Sequence, residues 1–253
     1  MAARTGTTIA VLGLGEAGSA LARDLVAAGA VVRGYDPAVT ATDGVLDTAS
    51  EAEAAAGADL VLSVNSASAA VDALNAGLRT ATMWADLNTA SPGTKRRLAE
   101  IAAGHGLPFA DVAIMAPVPG RGLRVPMLAT GDAAGRVAEL LQLFGASVEV
   151  MAGPAGLAAE RKLLRSVFFK GMAAAVVEAL VAARAAGCEN WLRELIEDEL
   201  AGADAFTVDR LVSGSYRHAV RRTAEMAAAA EMLGELGVPA DVASAARDHL
   251  ARL

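Results

Sequence analysis

The sequence predicts an α/β domain built on a doubly wound, mostly parallel sheet, followed by an all-α domain. Two observations carry this. Through the first 150 residues, short apolar, β-branched runs alternate with helical patterns, as βαβ units require. From Gly156 onward no strand pattern recurs, and helical periodicity runs to the last residues. The change falls at Gly153-Pro154, which divides the chain into residues 1–152 and 153–253.

The elements follow in order. A strand is read at 8–12 (Thr-Ile-Ala-Val-Leu), and it runs into Gly13-Leu14-Gly15-Glu16-Ala17-Gly18. A helical pattern over 16–28 ends at Gly29, and a second strand at 31–35 ends on Asp36. Further strands are read at 60–64, 81–86 and 108–115, with weaker ones at 126–130 and 147–151. Helices are read between them at 67–78, 92–104 and 133–144. The second domain reads as helices at 157–187, 190–202, 204–212, 215–236 and 240–252.

Strand, Gly-x-Gly-x-x-Gly turn, helix, strand and terminal acid is the order of a Rossmann dinucleotide-binding unit. Gly13 permits the tight turn. Gly15 lets the backbone approach a pyrophosphate, and Gly18 lets helix and strand pack closely. The pyrophosphate then meets free N–H groups at a helix N-terminus. The whole turn, Gly13, Leu14, Gly15, Glu16, Ala17 and Gly18, is therefore assigned to the cofactor. Asp36 lies 18 residues past Gly18, placed to accept hydrogen bonds from ribose hydroxyls and to repel a 2′-phosphate. The expected cofactor is NAD, with NADP still possible because Arg33 stands nearby.

Composition narrows the class. The chain has 253 residues, 54% apolar, with a net charge of −7, which fits a globular protein and disfavours broad nucleic-acid binding. No apolar run is expected to reach the ~18 residues of a membrane span. The first apolar segment is short and broken by glycine, unlike a signal peptide. A cytoplasmic location is expected. One cysteine, Cys188, excludes an internal disulfide, and no cluster has metal-ligand spacing.

The densest chemistry follows the domain boundary, in Gly153-Pro-Ala-Gly156 and on through Lys162, Arg165, Ser166, Lys170 and Gly171. At 100° per residue, Lys162, Ser166, Phe169 and Lys170 share one broad helix face, with Arg165 at its edge. Cations and a hydroxyl so placed form an anion-binding or acid–base surface. The rest of this helix is apolar, so it is expected to be a buried central helix. A lysine there needs a purpose, because burying an unpaired ammonium is costly.

These residues resemble the β-hydroxyacid dehydrogenases, relatives of 6-phosphogluconate and 3-hydroxyisobutyrate dehydrogenases. Gly153, Gly156 and Lys162 fall in register on that family's Gly-x-x-Gly-x-Gly-x-x-x-Lys-x-x-Asn-Asn motif. The resemblance implies hydride transfer between nicotinamide and an alcohol or carbonyl carbon, with Lys162 as acid/base. Asp86-Leu-Asn88-Thr89-Ala-Ser-Pro92 is similar to its Asp-x-Ser-Thr-x-x-Pro turn, and Ser63-Val64-Asn65 to the loop beneath the adenosine. This implies cofactor contact from Val64 and Asn65. Substrate contact falls to Asn88, Thr89, Met115, Arg165, Ser166 and Lys170. It also implies a homodimer formed through the helical domain.

The chain departs from the family in two places. Arg165-Ser166 replaces Asn-Asn, and Met115-Ala116-Pro117 replaces Ser-Gly-Gly in the loop that begins at Asp111. These departures resemble a divergent subgroup of NAD(P)-dependent oxidoreductases. That subgroup shares Lys-x-x-Arg-Ser-x-x-x-Lys-Gly and the run His218 to Met226. Within that run His218, Arg221, Arg222 and Glu225 fit one helical face, either solvated or closing over a cleft. Imine-reductase-like C=N reduction and a non-catalytic dinucleotide sensor remain alternatives.

Overall fold

A computed structural model describes residues 6–253. The chain forms two compact units, Met1–Arg165 and Ser166–Leu253.

The first unit holds one eight-stranded sheet. Its strands are β1 (Thr8–Leu12), β2 (Val31–Tyr35), β3 (Leu46–Asp47), β4 (Leu60–Ser63), β5 (Trp84–Asp86), β6 (Phe109–Ile114), β7 (Pro126–Thr130) and β8 (Ser147–Val150). Their order is β3-β2-β1-β4-β5-β6-β7-β8. Every pairing is parallel except β6 with β7. Helices α1 (Glu16–Ala27), α2 (Glu51–Ala55), α3 (Ala70–Gly77), α4 (Pro92–Gly104) and α5 (Ala134–Gln142) cover it. The direction of winding reverses between β1 and β4, where the carboxyl ends of an open α/β sheet leave a ligand crevice.

Both faces of the sheet are buried, which is why its strands read as continuous apolar runs rather than alternating ones. Ile9, Val11, Leu60, Leu62 and Val112 pack on one face with Leu21 and Leu25 of α1 and Val137 of α5. Ala10, Leu12, Val61, Trp84 and Phe109 pack on the other with Leu74 of α3 and Leu98 of α4. The short β3 and α2 have no counterpart in the sequence reading. Two residues of strand and five of helix are too few to establish a period.

Helix α6 (Leu157–Ala185) begins in the first unit and continues into the second. The turn at Gly153-Pro154 opens it, and the compact units divide at Arg165, because the first turns of α6 pack with the sheet. Ala155, Ala158 and Ala159 are buried there. The second unit continues with α7 (Glu189–Ala201), α8 (Ala205–Arg217), α9 (Ala219–Glu235) and α10 (Asp241–Leu250). Asp204 and Thr207 form a reciprocal cap at the start of α8. Glu178 of α6 accepts hydrogen bonds from Val242 and Ala243 N–H at 2.7 and 2.8 Å, capping α10.

Three expectations are corrected. Helix α6 does contain an apolar window long enough to cross a membrane, with mean hydropathy 1.7, because small residues and tolerated charges extend it past any unbroken run. Nor is that helix buried in the single chain: only 11% of the window is covered. Val167, Phe168 and Val177 are among its exposed side chains. Finally, His218 lies outside the helix that carries Arg221 and Glu225. It is the junction between α8 and α9, and the break falls there rather than near residue 214.

Candidate functional site

The glycine turn has the geometry its spacing predicts. Gly13 has φ +94°, and its N–H donates to Tyr35 O at 2.8 Å. A Cβ there would come within 2.5 Å of Asn65 Oδ1 and Val64 O. A Cβ on Gly18 would collide with the Gly13 carbonyl, so glycine is required for α1 to seat against the turn. A Cβ on Gly15 would meet nothing, so that backbone faces open space. Among the described residues no side chain caps the first turn of α1, which leaves its N–H groups to an anion.

Asp36 closes the turn from the β2 side. Its Oδ2 accepts from Leu14 N–H at 2.8 Å, and its Oδ1 accepts from Ala38 and Val39 N–H at 2.8 and 3.1 Å. The carboxylate is thus fixed beside the turn, with lone pairs left for ribose hydroxyls. Arg33, expected to temper its charge, donates instead to the Ala56 carbonyl. No basic residue occurs from 37 to 45. Gly13, Leu14, Val64, Asn65 and Asp36 are therefore gathered at the carboxyl ends of β1, β2 and β4. Their cradle fits a dinucleotide.

A second cluster lies next to it, inside the protein. Ser63, Asp86, Asp111 and Thr130 are aligned laterally across β4, β5, β6 and β7, one residue opposite the next. Lateral partners point to the same face, and all four side chains are completely buried. Lys95 of α4, also completely buried, enters this row. Its ammonium donates to Asp86 Oδ1 at 2.6 Å and Asp86 O at 2.8 Å, and it pairs with Asp111 Oδ1 at 3.1 Å. Asp111 Oδ2 accepts from Gly156 and Ala159 N–H, both at 3.0 Å, and Thr130 Oγ1 accepts from Ala158 N–H at 3.3 Å. The row therefore caps the N-terminus of α6.

Asn88 links the two clusters. Its Nδ2 donates to Asp86 Oδ2 at 2.7 Å and to Ser63 Oγ at 3.0 Å, while Asn65 Nδ2 lies 3.5 Å from the same hydroxyl. Asn88 Oδ1 is buried with no hydrogen-bond partner among the described residues.

Among the other predicted site residues, Thr89 is exposed and Met115 half-buried, each just beyond a strand end. Lys162 is half-buried, one turn past Ala159 on α6. Arg165 is exposed at the end of the first unit, and Ser166 and Lys170 follow on the same helix in the second. Arg221 pairs with Glu225 at 2.7 Å, and Arg222 donates to Ser215 Oγ at 2.8 Å. These contacts are local to α8 and α9.

Lys95 and Thr130 were not singled out by the sequence reading. A signal existed for the lysine: Lys95, Leu98 and Ala102 are spaced i, i+3 and i+7, the buried stripe of α4. A lysine on such a stripe implies a buried anion.

Comparison with known proteins follows the two domains. The NAD binding domain of 6-phosphogluconate dehydrogenase matches residues 8–153, and a domain of unknown function (DUF1932) matches 183–253. The chain belongs to the 6-phosphogluconate dehydrogenase-like NAD-binding family. A relative from Mycobacterium tuberculosis named "Probable 3-hydroxyisobutyrate dehydrogenase" is 32% identical over 72% of this chain. The match spans 65% of that relative's own length. A solved protein of unknown function, described as structurally similar to 3-hydroxyacid dehydrogenases, is 28% identical over 97% of both chains with a TM-score of 0.64. Streptomyces aurantiacus imine reductase, at 18% identity, shares the fold with a TM-score of 0.80, covering 97% of this chain and 94% of its own.

Proposed function

We propose that this protein is an NAD-dependent oxidoreductase. Its substrate would be a small, anionic, hydroxyacid-like molecule carrying an alcohol or carbonyl at the reacting carbon. The observation that carries this is the joint placement of the glycine cradle and the capped start of α6. Both are tied to one hydrogen-bonded row, and α6 presents Lys162 one turn beyond the cap. The family match and the relative named for 3-hydroxyisobutyrate support the same reading.

A nicotinamide held in this cradle would supply or accept the hydride. Lys162 holds the reacting oxygen, taking its proton in oxidation and returning it in reduction, a contribution of roughly 10²–10⁴ in rate. Asn88 Oδ1 accepts a hydrogen bond from the ligand side, and its amide nitrogen stays fixed by Asp86 and Ser63. Thr89, Met115 and Arg165 border the substrate, and the Arg165 cation favours a carboxylate or phosphate. Asp36, fixed beside the turn and without a basic neighbour, favours NAD over NADP.

The exposed apolar surface of the helical unit fits a second copy of the chain. Val167, Phe206 and Val220 are 75, 79 and 89% exposed, and Phe168 and Val177 extend the surface. Exposed apolar side chains in such number on α6, α8 and α9 point to an interface. Size-exclusion at two concentrations should give twice 25.5 kDa; a monomer at both contradicts the dimer.

The function is tested by NADH fluorescence titration followed by a panel of hydroxyacids, aldehydes, keto acids and cyclic imines. NADH binding with turnover of a hydroxyacid or its carbonyl partner is the expected result. Turnover of imines alone, or binding without turnover of any compound, would overturn it.

A further inference from the structure

We infer that Asp111, held by Lys95, is the positioning residue for Lys162: it fixes the start of α6 and thereby where the Lys162 ammonium stands. The inference rests on the reading of Lys162 as the group beside the nicotinamide.

Asp111 is buried in the middle of β6 and touches neither the cofactor cradle nor solvent. Its two oxygens face different ways. Oδ1 meets the Lys95 ammonium, and Oδ2 takes two N–H groups from the opening of α6. A buried row with two carboxylates and one ammonium carries one uncompensated negative charge. Burying such a charge is costly unless it is paired or hydrogen-bonded. The N–H groups at the start of α6, with the positive end of its dipole, supply that compensation. The helix start is thus held by charge as well as by packing, and Thr130 adds a third N–H contact from β7.

Gly156 tightens the seat. It has φ +103°, and a Cβ there would come within 2.9 Å of Pro92 O at the start of α4. Lys162 lies three residues past Ala159, about 4.5 Å along a stiff helix at about 1.5 Å per residue. A shift of the first turn is therefore passed on to Lys162 undiminished. A displacement of about 1 Å at a reacting group costs about 10²-fold in rate. Asn88 and Ser63 join this row to Asn65 beside the glycine turn, so the same network sets lysine and cofactor loop relative to each other within the first unit.

The chain has lysines only at 95, 162 and 170, so amine chemistry reads the positions directly. Full-length wild type, Asp111→Ala, Asp111→Asn and Thr130→Val are acetylated with succinimidyl acetate, with and without saturating NADH. Labelling of each lysine is followed by peptide mass spectrometry. In wild type, NADH should slow labelling of Lys162 several-fold relative to Lys170. Asp111→Ala should lose that protection while NADH Kd stays within about twofold. Asp111→Asn keeps an oxygen for the α6 N–H groups but loses the charge and turns its amide N–H toward the Lys95 ammonium, so it should retain only part of it. Thr130→Val, the milder change should the alanine variant not fold, should lose part. Wild-type protection that persists in Asp111→Ala, or in Thr130→Val where the alanine variant does not fold, overturns the positioning role alone. A wild type in which NADH leaves Lys162 labelling unchanged overturns the placement of Lys162, and this inference with it.

Discussion

Replacing Lys95 by Met should cost far more than losing an ion pair on the surface would. The ammonium is buried, as are both carboxylates that it meets at 2.6 and 3.1 Å. Methionine fills similar volume but leaves Asp86 and Asp111 facing each other across adjacent strands, and it removes the ammonium's hydrogen bond to the Asp86 carbonyl. Removing one partner of a buried charge pair costs about 3–5 kcal/mol. At about 2–4 °C per kcal/mol for a chain of this size, Tm should fall by about 6–20 °C. The control is Arg221→Met. Its pair with Glu225 has the same short contact, 2.7 Å, but side chains 64 and 54% exposed. Such a pair is worth less than about 1 kcal/mol. Trp84 is buried two residues before Asp86, so its emission in a Trp191→Phe background reports the unit concerned. A Lys95→Met protein within about 1 kcal/mol of its parent would refute the role given to this row.

Gly13→Ala forces a left-handed φ on a residue with a Cβ and drives it onto Asn65 and Val64. Strain of about 1–3 kcal/mol should weaken NADH binding by about 5- to 150-fold in fluorescence titration. NADH should bind at least about tenfold more tightly than NADPH, and Asp36→Asn should narrow that ratio; equal affinities in wild type would contradict the role of Asp36. Glu189 gives a pH signature in the helical unit. The hydrogen bond from Arg184 holds its carboxyl down at about 2, against an ordinary value of 4.5. Its folded pKa is depressed, so the stabilisation is present above pH 4.5 and is lost as pH falls towards 2. Between pH 5 and pH 3, wild type should therefore lose more thermal stability than Glu189→Gln.

The sheet was legible because its central strands, β1, β4, β5 and β6, are buried on both faces and write apolar runs. The cofactor cradle was legible because glycine has no substitute at a φ of +94° or against the Gly13 carbonyl. The polar row was harder to read. Asp86 and Asp111 are 25 residues apart in sequence, and only the lateral register of β5 and β6 makes them neighbours. Lys95 reads as one more cation in Lys95-Arg96-Arg97 until the stripe of α4 is drawn. Helix α6 misled for a different reason: its apolar composition predicts burial, which one chain by itself does not supply. No proline marks the break at His218, and Gly214 four residues earlier is the stronger breaker in the sequence.

The most direct measurement compares wild type and Lys162→Ala by NADH titration and by turnover of the best hydroxyacid or carbonyl substrate from the panel. NADH affinity within about twofold, with kcat lower by about 10²-fold or more, is the predicted result. A Lys162→Ala protein that binds NADH and turns over at the wild-type rate would contradict it.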